Sequence, residues 1–538
     1  MLKKILKSVL LVIMSAIMAL GAFAGCKPKN NDLLGEYSDR PQTIKVLHFN
    51  GGYGHEWLVE VSKYFMDNID TETYVQIDNT PVDGEEGVKL SSGIQTHDVY
   101  FLGYMYDYNT AGNYLTDLSD VYNGKSTGEE MLVKDKIDDV TKDAYFPNGV
   151  DEKYYLPYGG TGTYTFCWNE TTLDEALGEG NWVFPRTTDE FFELGDRLKD
   201  KGVYLSGGSY GDATDYFTPD AWFAQAVGVE EYLQMRKGYY KNDSGEYVFD
   251  ESKPTVVEKQ EEAYKDLYEV VSKFMYSGNL YMHRDSSAMT FLDVEGVLAG
   301  IGFGTNKAKM ACLYTGAYLL NEMDPYLKTM EEAGEPQSIR AVKIPMMSSV
   351  RKRTETIKDD ATLRAVIDYV DGTTNTKPSG VKDEDIEIVR ESRNIGTSNI
   401  MGSMAVAKEA AHVDVCKEFV RFLTSDVAQK IASDASLGIE RLPYGYASRL
   451  ENEDLSKLHQ FVQDYKNISK NQTIIPLSPG ANDVFMKYGE FNTIPVAPGN
   501  YGVAPGSPDK FYQDTLANYT TGNKWADIIK RYKAALGE

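Results

Sequence analysis

The chain is 538 residues long, several times the usual domain of about 100–150 residues, so two or more lobes are expected. Its 42% hydrophobic and 25% charged residues are ordinary globular usage, which excludes collagen-like, coiled-coil and wholly disordered chains. With 81 acidic against 55 basic residues the net charge is −26, the wrong sign for a protein that tracks nucleic-acid phosphates.

Lys3, Lys4 and Lys7 precede an apolar run from Val9 to Leu20. That run is about half the roughly 20 residues a spanning helix needs, so residues 1–25 read as a secretory signal peptide. Phe23-Ala24-Gly25-Cys26 resembles the bacterial lipobox, in which the cysteine receives diacylglycerol and becomes the mature N-terminus. Ala22-Phe23-Ala24 also fits the A-x-A site of ordinary signal peptidase. On the first reading Cys26 is lipidated, the protein sits on the outer face of a bacterial cell membrane, and residues 26–42 form a flexible tether. Cys167, Cys312 and Cys416 are odd in number and far apart, which points to small buried side chains rather than disulfides.

Thr43 to Phe49 alternates like a strand and leads into the loop Asn50–His55. Glu56 to Asn68 follows as a helix with Trp57, Val61, Tyr64 and Phe65 on one face, and Thr73–Ile77 and Asp98–Leu102 are further strands. This rhythm predicts a parallel α/β sheet. A second lobe begins near Tyr154–Tyr158 and the turn Gly159-Gly160-Thr161-Gly162, with Tyr164–Trp168 as its first strand. Thr187 or Thr188 caps a helix to Lys199, and Ala221–Val227 and Glu258–Met275 are helical. Lys309–Tyr314 and Arg340–Ile344 are short strands, and residues 346–395, charged and broken by Pro and Gly, read as a crossover insertion. Met404–Ala407 is a strand, Val413–Leu423 an amphipathic helix, Val427–Ala432 the start of another, and Trp525–Leu536 the closing helix.

The joint order of these pieces resembles a known family. It runs from the lipobox through "DVYFLGY" (98–104), "LTDLSDVY" (115–122), "KYYLPYG" (153–159) and "WNETTLDEA" (168–176). "PRTTDEF" (185–191), "KAKMACLYTGAYL" (307–319), "MAVAKEA" (404–410) and "VCKEFVRFLTSDVAQKIA" (415–432) complete it. The resemblance is to the extracellular solute-binding proteins of ABC importers, family 1, mostly carbohydrate binders. It implies a two-lobed α/β fold of the periplasmic-binding-protein kind (type II) with a hinge. Lobe one is expected from 43–160 and 394–431, lobe two from 161–345 and 432–538, and the insertion is 346–393. It further implies a monomer that performs no chemistry, needs no cofactor, and passes a carbohydrate, an oligosaccharide, to ABC permease subunits.

A sugar offers hydroxyls and apolar C–H faces, which rings cover and Asp, Asn or Tyr satisfy. Tyr is the compositional excess of the chain, at 38 residues against 21 Phe and 5 Trp. Ligands of parallel α/β sheets sit at the carboxyl ends of strands. That places Gly52, Tyr53 and Trp57 after the first strand, and Tyr104 and Tyr106 after "DVYFLG". Tyr158 and Gly159 stand at the lobe junction, Tyr314, Thr315 and Gly316 after "MACLY", and Tyr444 after "ERLP". Trp222 begins a helix that the resemblance implies faces the cleft, and Asp212, Asp215 and Asn399 are polar candidates.

Two rivals are weighed. Gly207-Gly208-Ser209-Tyr210-Gly211 matches the G-x-S-x-G of a serine hydrolase, but no helix follows directly and no His stands in triad-like context. A peptide ligand on the same fold would need an Asp with an Arg for its charged termini, and the aromatic supply favours sugar. The six His residues form no zinc motif, and Asn242–Glu246 reads as a hairpin turn rather than a calcium loop.

Overall fold

The structure is a computed structural model. It describes residues 33–49, 52, 54–80, 87, 90–102, 108–147, 150–158, 163–208, 219–398, 402–438, 443–444, 455–477, 483, 506–521 and 524–535. Two sheets organise it. The first contains strands β1 (Gln42–Phe49), β2 (Thr73–Thr80), β3 (Val99–Leu102), β12 (Gly402–Val406) and β4 (Leu156–Tyr158), in the order β2-β1-β3-β12-β4. The second has the order β13-β11-β5-β9-β6, with β10 against β5. Its strands are β5 (Thr163–Asn169), β6 (Tyr204–Ser206), β9 (Met310–Thr315), β10 (Ile339–Val342), β11 (Ile395–Ser398) and β13 (Thr473–Pro476).

Each sheet carries its own core. In the first, Trp57, Val61 and Phe65 of the helix Glu56–Asn68 pack with Phe419, Phe422 and Leu423 of Val413–Leu423. That is the periodicity read from sequence, now closed by ring contacts such as Phe65–Phe419 at 5.1 Å. In the second, β5 and β9 are buried at every residue, as expected of strands covered on both faces. Thr187 caps the helix Thr188–Lys199 by accepting from the Glu190 N–H at 3.2 Å. The hairpin of β7 (Tyr239–Lys241) and β8 (Tyr247–Phe249) turns at Gly245, whose φ is +84°. Cys167, Cys312 and Cys416 are buried and free.

The strands that link the lobes lie side by side. Gly402 of β12 pairs with Tyr158 of β4, and Ser398 of β11 pairs with Thr163 of β5. The chain therefore passes from the first sheet to the second after Tyr158 and back after Ser398. This arrangement brings the carboxyl ends of β1, β3 and β4 opposite those of β6, β9, β11 and β13.

Four boundaries move from the sequence reading. β11 belongs to the second sheet, so the return crossing follows Ser398 instead of starting near Asn394. The helix Asp426–Ala435 and Tyr444 stay in the first core through Ala428, Ala432 and the tyrosine ring, so the chain leaves lobe one after residue 444 rather than near 432. Residues 346–393 are no crossover insertion. Met346, Met347, Val350, Ile357, Leu363, Val366, Ile367, Ile386 and Val389 are buried in the second core. The expected tether is also shorter, because Leu34 is buried in the first core and Arg40 donates to the carbonyls of Met66, Asp70 and Thr73 at 2.5, 3.2 and 3.0 Å. Among the described residues no helix is long and apolar enough to cross a membrane.

Candidate ligand-binding cleft

The carboxyl end of β9 delivers Thr315, Gly316 and then Tyr318, which precedes the helix Leu319–Glu332. Tyr314 turns inward, where its hydroxyl shares a 2.5 Å hydrogen bond with the Thr397 hydroxyl of β11. Tyr318 turns toward lobe one. Its hydroxyl accepts from the Thr315 Oγ1–H at 3.1 Å and donates to the Tyr164 hydroxyl at 3.4 Å, and its ring stands edge-on to Tyr164 at 6.1 Å. Tyr164, Tyr314 and Tyr318 thus gather rings and hydroxyls at the strand ends of the second sheet.

Opposite them is Gly52, just past β1, with φ +46°. A Cβ there would stand 3.2 Å from Tyr318 Cβ, so lobe one approaches the tyrosine through backbone alone. The Gly52 N–H donates to the Glu322 carboxylate, one helical turn beyond Tyr318. A second bridge joins the lobes elsewhere, Lys237 Nζ to Asp143 Oδ2 at 3.0 Å.

Behind Gly52 lies an aromatic box: His48, Trp57, Phe101 and Tyr158. His48 Nε2 and the Tyr158 hydroxyl are 2.9 Å apart, Trp57 stacks on Tyr158 at 6.0 Å, and Phe101 meets Tyr158 edge-on at 4.9 Å. All four side chains are buried. Trp57 and Tyr158, read from sequence as cleft rings, are buried in the first core and offer no free face in this conformation. Tyr444 is likewise buried, its hydroxyl donating to Pro157 O at 2.7 Å and holding β4 in place.

Trp222 is placed differently from the expectation that it faces the cleft. It is 1% exposed, its indole N–H donates to Pro345 O at 2.8 Å, and Phe166, Phe191 and Phe274 surround it at 6.4–6.5 Å. Both ring faces are occupied by protein. Of the remaining sequence candidates, Cys26, Tyr53, Tyr104, Tyr106, Gly159, Asp212, Asp215, Asn399 and the rival nucleophile Ser209 lie outside the described residues. Tyr318, Tyr164 and Glu322 were missed. The sequence signal was the aromatic just beyond the "YTG" strand end, in the first position able to project past the sheet.

A family model for bacterial extracellular solute-binding proteins matches residues 84–443. The chain belongs to this family. As a solute-binding protein it shares its fold with structures of 15% identity or less. The GacH receptor of Streptomyces glaucescens, solved unliganded and with acarbose, is 15% identical with a TM-score of 0.53, over 89% of this chain and 98% of that one. RafE in complex with raffinose is 15% identical with a TM-score of 0.51, over 89% and 99%. Lmo0181 of Listeria monocytogenes, in complex with cycloalternan, is 13% identical with a TM-score of 0.53, over 90% and 99%. No curated protein sequence matches the chain.

Proposed function

We propose that this solute-binding protein captures a carbohydrate, an oligosaccharide in particular, between its lobes and delivers it to the permease of an ABC importer, without chemistry. Anchorage through a lipidated Cys26 on the outer membrane face completes the reading, with the protein acting as a monomer. The observation that carries it is the half-buried Tyr318 at the mouth, edge-on to Tyr164 and hydrogen-bonded to the Thr315 hydroxyl, facing a glycine on the other lobe. Rings beside hydroxyls match the C–H faces and O–H groups of a sugar. The neighbours solved with acarbose, raffinose and cycloalternan support the ligand class. Ligand bridging both lobes favours the closed form, which the permease then distinguishes from the open one.

A thermal-shift panel of oligosaccharides tests this. A ligand at a hundred times its Kd adds about 2.7 kcal/mol, a rise of a few degrees in Tm. Tyr318→Ala should weaken that ligand tenfold to a hundredfold in calorimetry, about 1–3 kcal/mol. Stabilisation by no glycan, or unchanged affinity in Tyr318→Ala, contradicts the reading. Mass spectrometry of the mature N-terminus should find an acylated Cys26; an unmodified peptide beginning at Gly25 removes the anchor.

A further inference from the structure

Next to the tyrosine cluster, two carboxyl groups meet, that of a fully buried Glu295 and that of a half-buried Glu322. Glu295, on the helix Phe291–Leu298, is 0% exposed, and no N–H or O–H of the described residues reaches either of its oxygens. Glu322 leaves its Oε2 in the same condition, and the two carboxyls lie within hydrogen-bonding reach of one another. Two carboxylates cannot both stay ionised at that separation without a cation, so a shared proton is the stable arrangement.

The surrounding groups supply no such cation. Glu295 has Asp293 on its own helix and Tyr326 beside it, while the helix of Glu322 contributes Tyr318, Asn321, Asp324 and Tyr326. Lys328 on that helix is taken by Asp324 at 2.6 Å. From lobe one the loop brings the Gly52 backbone, followed by His55 and Glu56 at the start of the next helix. Among the described residues no Lys, Arg or His acts on either carboxyl.

We propose that Glu295 and Glu322 form a proton-operated latch between the lobes, taking up a proton as Gly52 closes over them and releasing it as the lobes part. Burial is the larger influence on both carboxyls and raises both, Glu322 to about 7, against the opposing effect of the Gly52 N–H. Opening admits water and lowers the affinity for the proton. A group that binds its proton more tightly in the closed form favours closure at low pH, and that contribution fades as pH rises through about 7. Above that, the closed form holds an uncompensated negative charge out of water. The latch rests on the two-lobed cleft and not on the identity of the ligand.

The test uses the full ligand-free chain carrying Glu60→Cys and Lys377→Cys, one exposed label site per lobe, which dye pairs report by energy transfer from pH 5.5 to 8.5. Cys167, Cys312 and Cys416 are buried, and Cys26 is taken up by its lipid on the proposed reading. The closed-to-open ratio should fall as pH rises toward about 7, by up to tenfold per pH unit, the limit for one linked proton, and level off above it. Glu322→Gln should flatten the profile, which separates the pair from the titratable His55. Glu295→Gln, a stand-in for the protonated acid, should keep the transition near its wild-type midpoint, because Glu322 still titrates beside a neutral donor. A flat wild-type profile overturns the latch, as does a slope that survives Glu322→Gln, or a slope lost in Glu295→Gln should the first variant not fold. Because no glycan is used, failure here leaves the carbohydrate reading standing, and an inert sugar panel leaves the latch standing.

Discussion

Trp222→Ala should destabilise lobe two by about 3–5 kcal/mol, the usual cost of removing a large buried ring. The substitution leaves a cavity among Phe166, Phe191 and Phe274 and strips Pro345 O of its donor. Denaturant unfolding followed by two probes, one per lobe, should show the lobe-two transition move while the other stays, since the cores are separate. Ligand affinity, measured where the variant is still folded, should change far less than in Tyr318→Ala. A variant of unchanged stability that loses its ligand would return Trp222 to the cleft.

A second large effect is expected at Arg236, which is 0% exposed. Its Nε and Nη2 donate to Asp483 Oδ2 at 2.9 and 2.7 Å, Nη1 donates to Pro476 O at the end of β13, and its guanidinium lies over the Tyr232 ring. The arginine thereby ties the helix Val229–Lys237 to the chain segment after β13. Arg236→Met should cost about 3–5 kcal/mol, most of it from leaving the Asp483 carboxylate buried without its cation. Arg236→Met with Asp483→Leu should recover a large part of that loss, because a matched pair of apolar groups leaves no stranded charge. If the double variant is no more stable than the single one, the ion pair is not the source of the effect.

The helices Glu56–Asn68 and Val413–Leu423 were legible because each writes its apolar face at helical spacing, and β9 because an unbroken apolar run suits a strand covered on both sides. The helix Leu319–Glu332 was not legible, since Pro325 inside it signals a break that tertiary packing of Leu319, Leu320 and Met323 overrides. Residues 346–393 hid two helices behind their charge. Arg364 pairs with Asp360 and Glu193, and Arg393 with Asp371, so ions read as loop solvation are partners that leave Leu363, Val366, Ile386 and Val389 free to pack. At the cleft, sequence placed aromatics near strand ends but could not give their direction. Tyr314 and Tyr318 are four residues apart, yet one is sealed under β11 and the other reaches the opposite lobe, a difference set by where the sheet stops. The Glu295–Glu322 pair was invisible for the same reason, being 27 positions apart with no motif to join them.

The place of β12 has a bearing on how the molecule is made. It lies between β3 and β4, yet its first residue is Gly402. β3 and β4 cannot gain β12 between them until the whole of β5 to β11 has been added to the chain. The amino-terminal portion alone would therefore present unpaired strands that invite aggregation. A truncation before residue 402 would leave lobe one without the strand that joins β3 to β4.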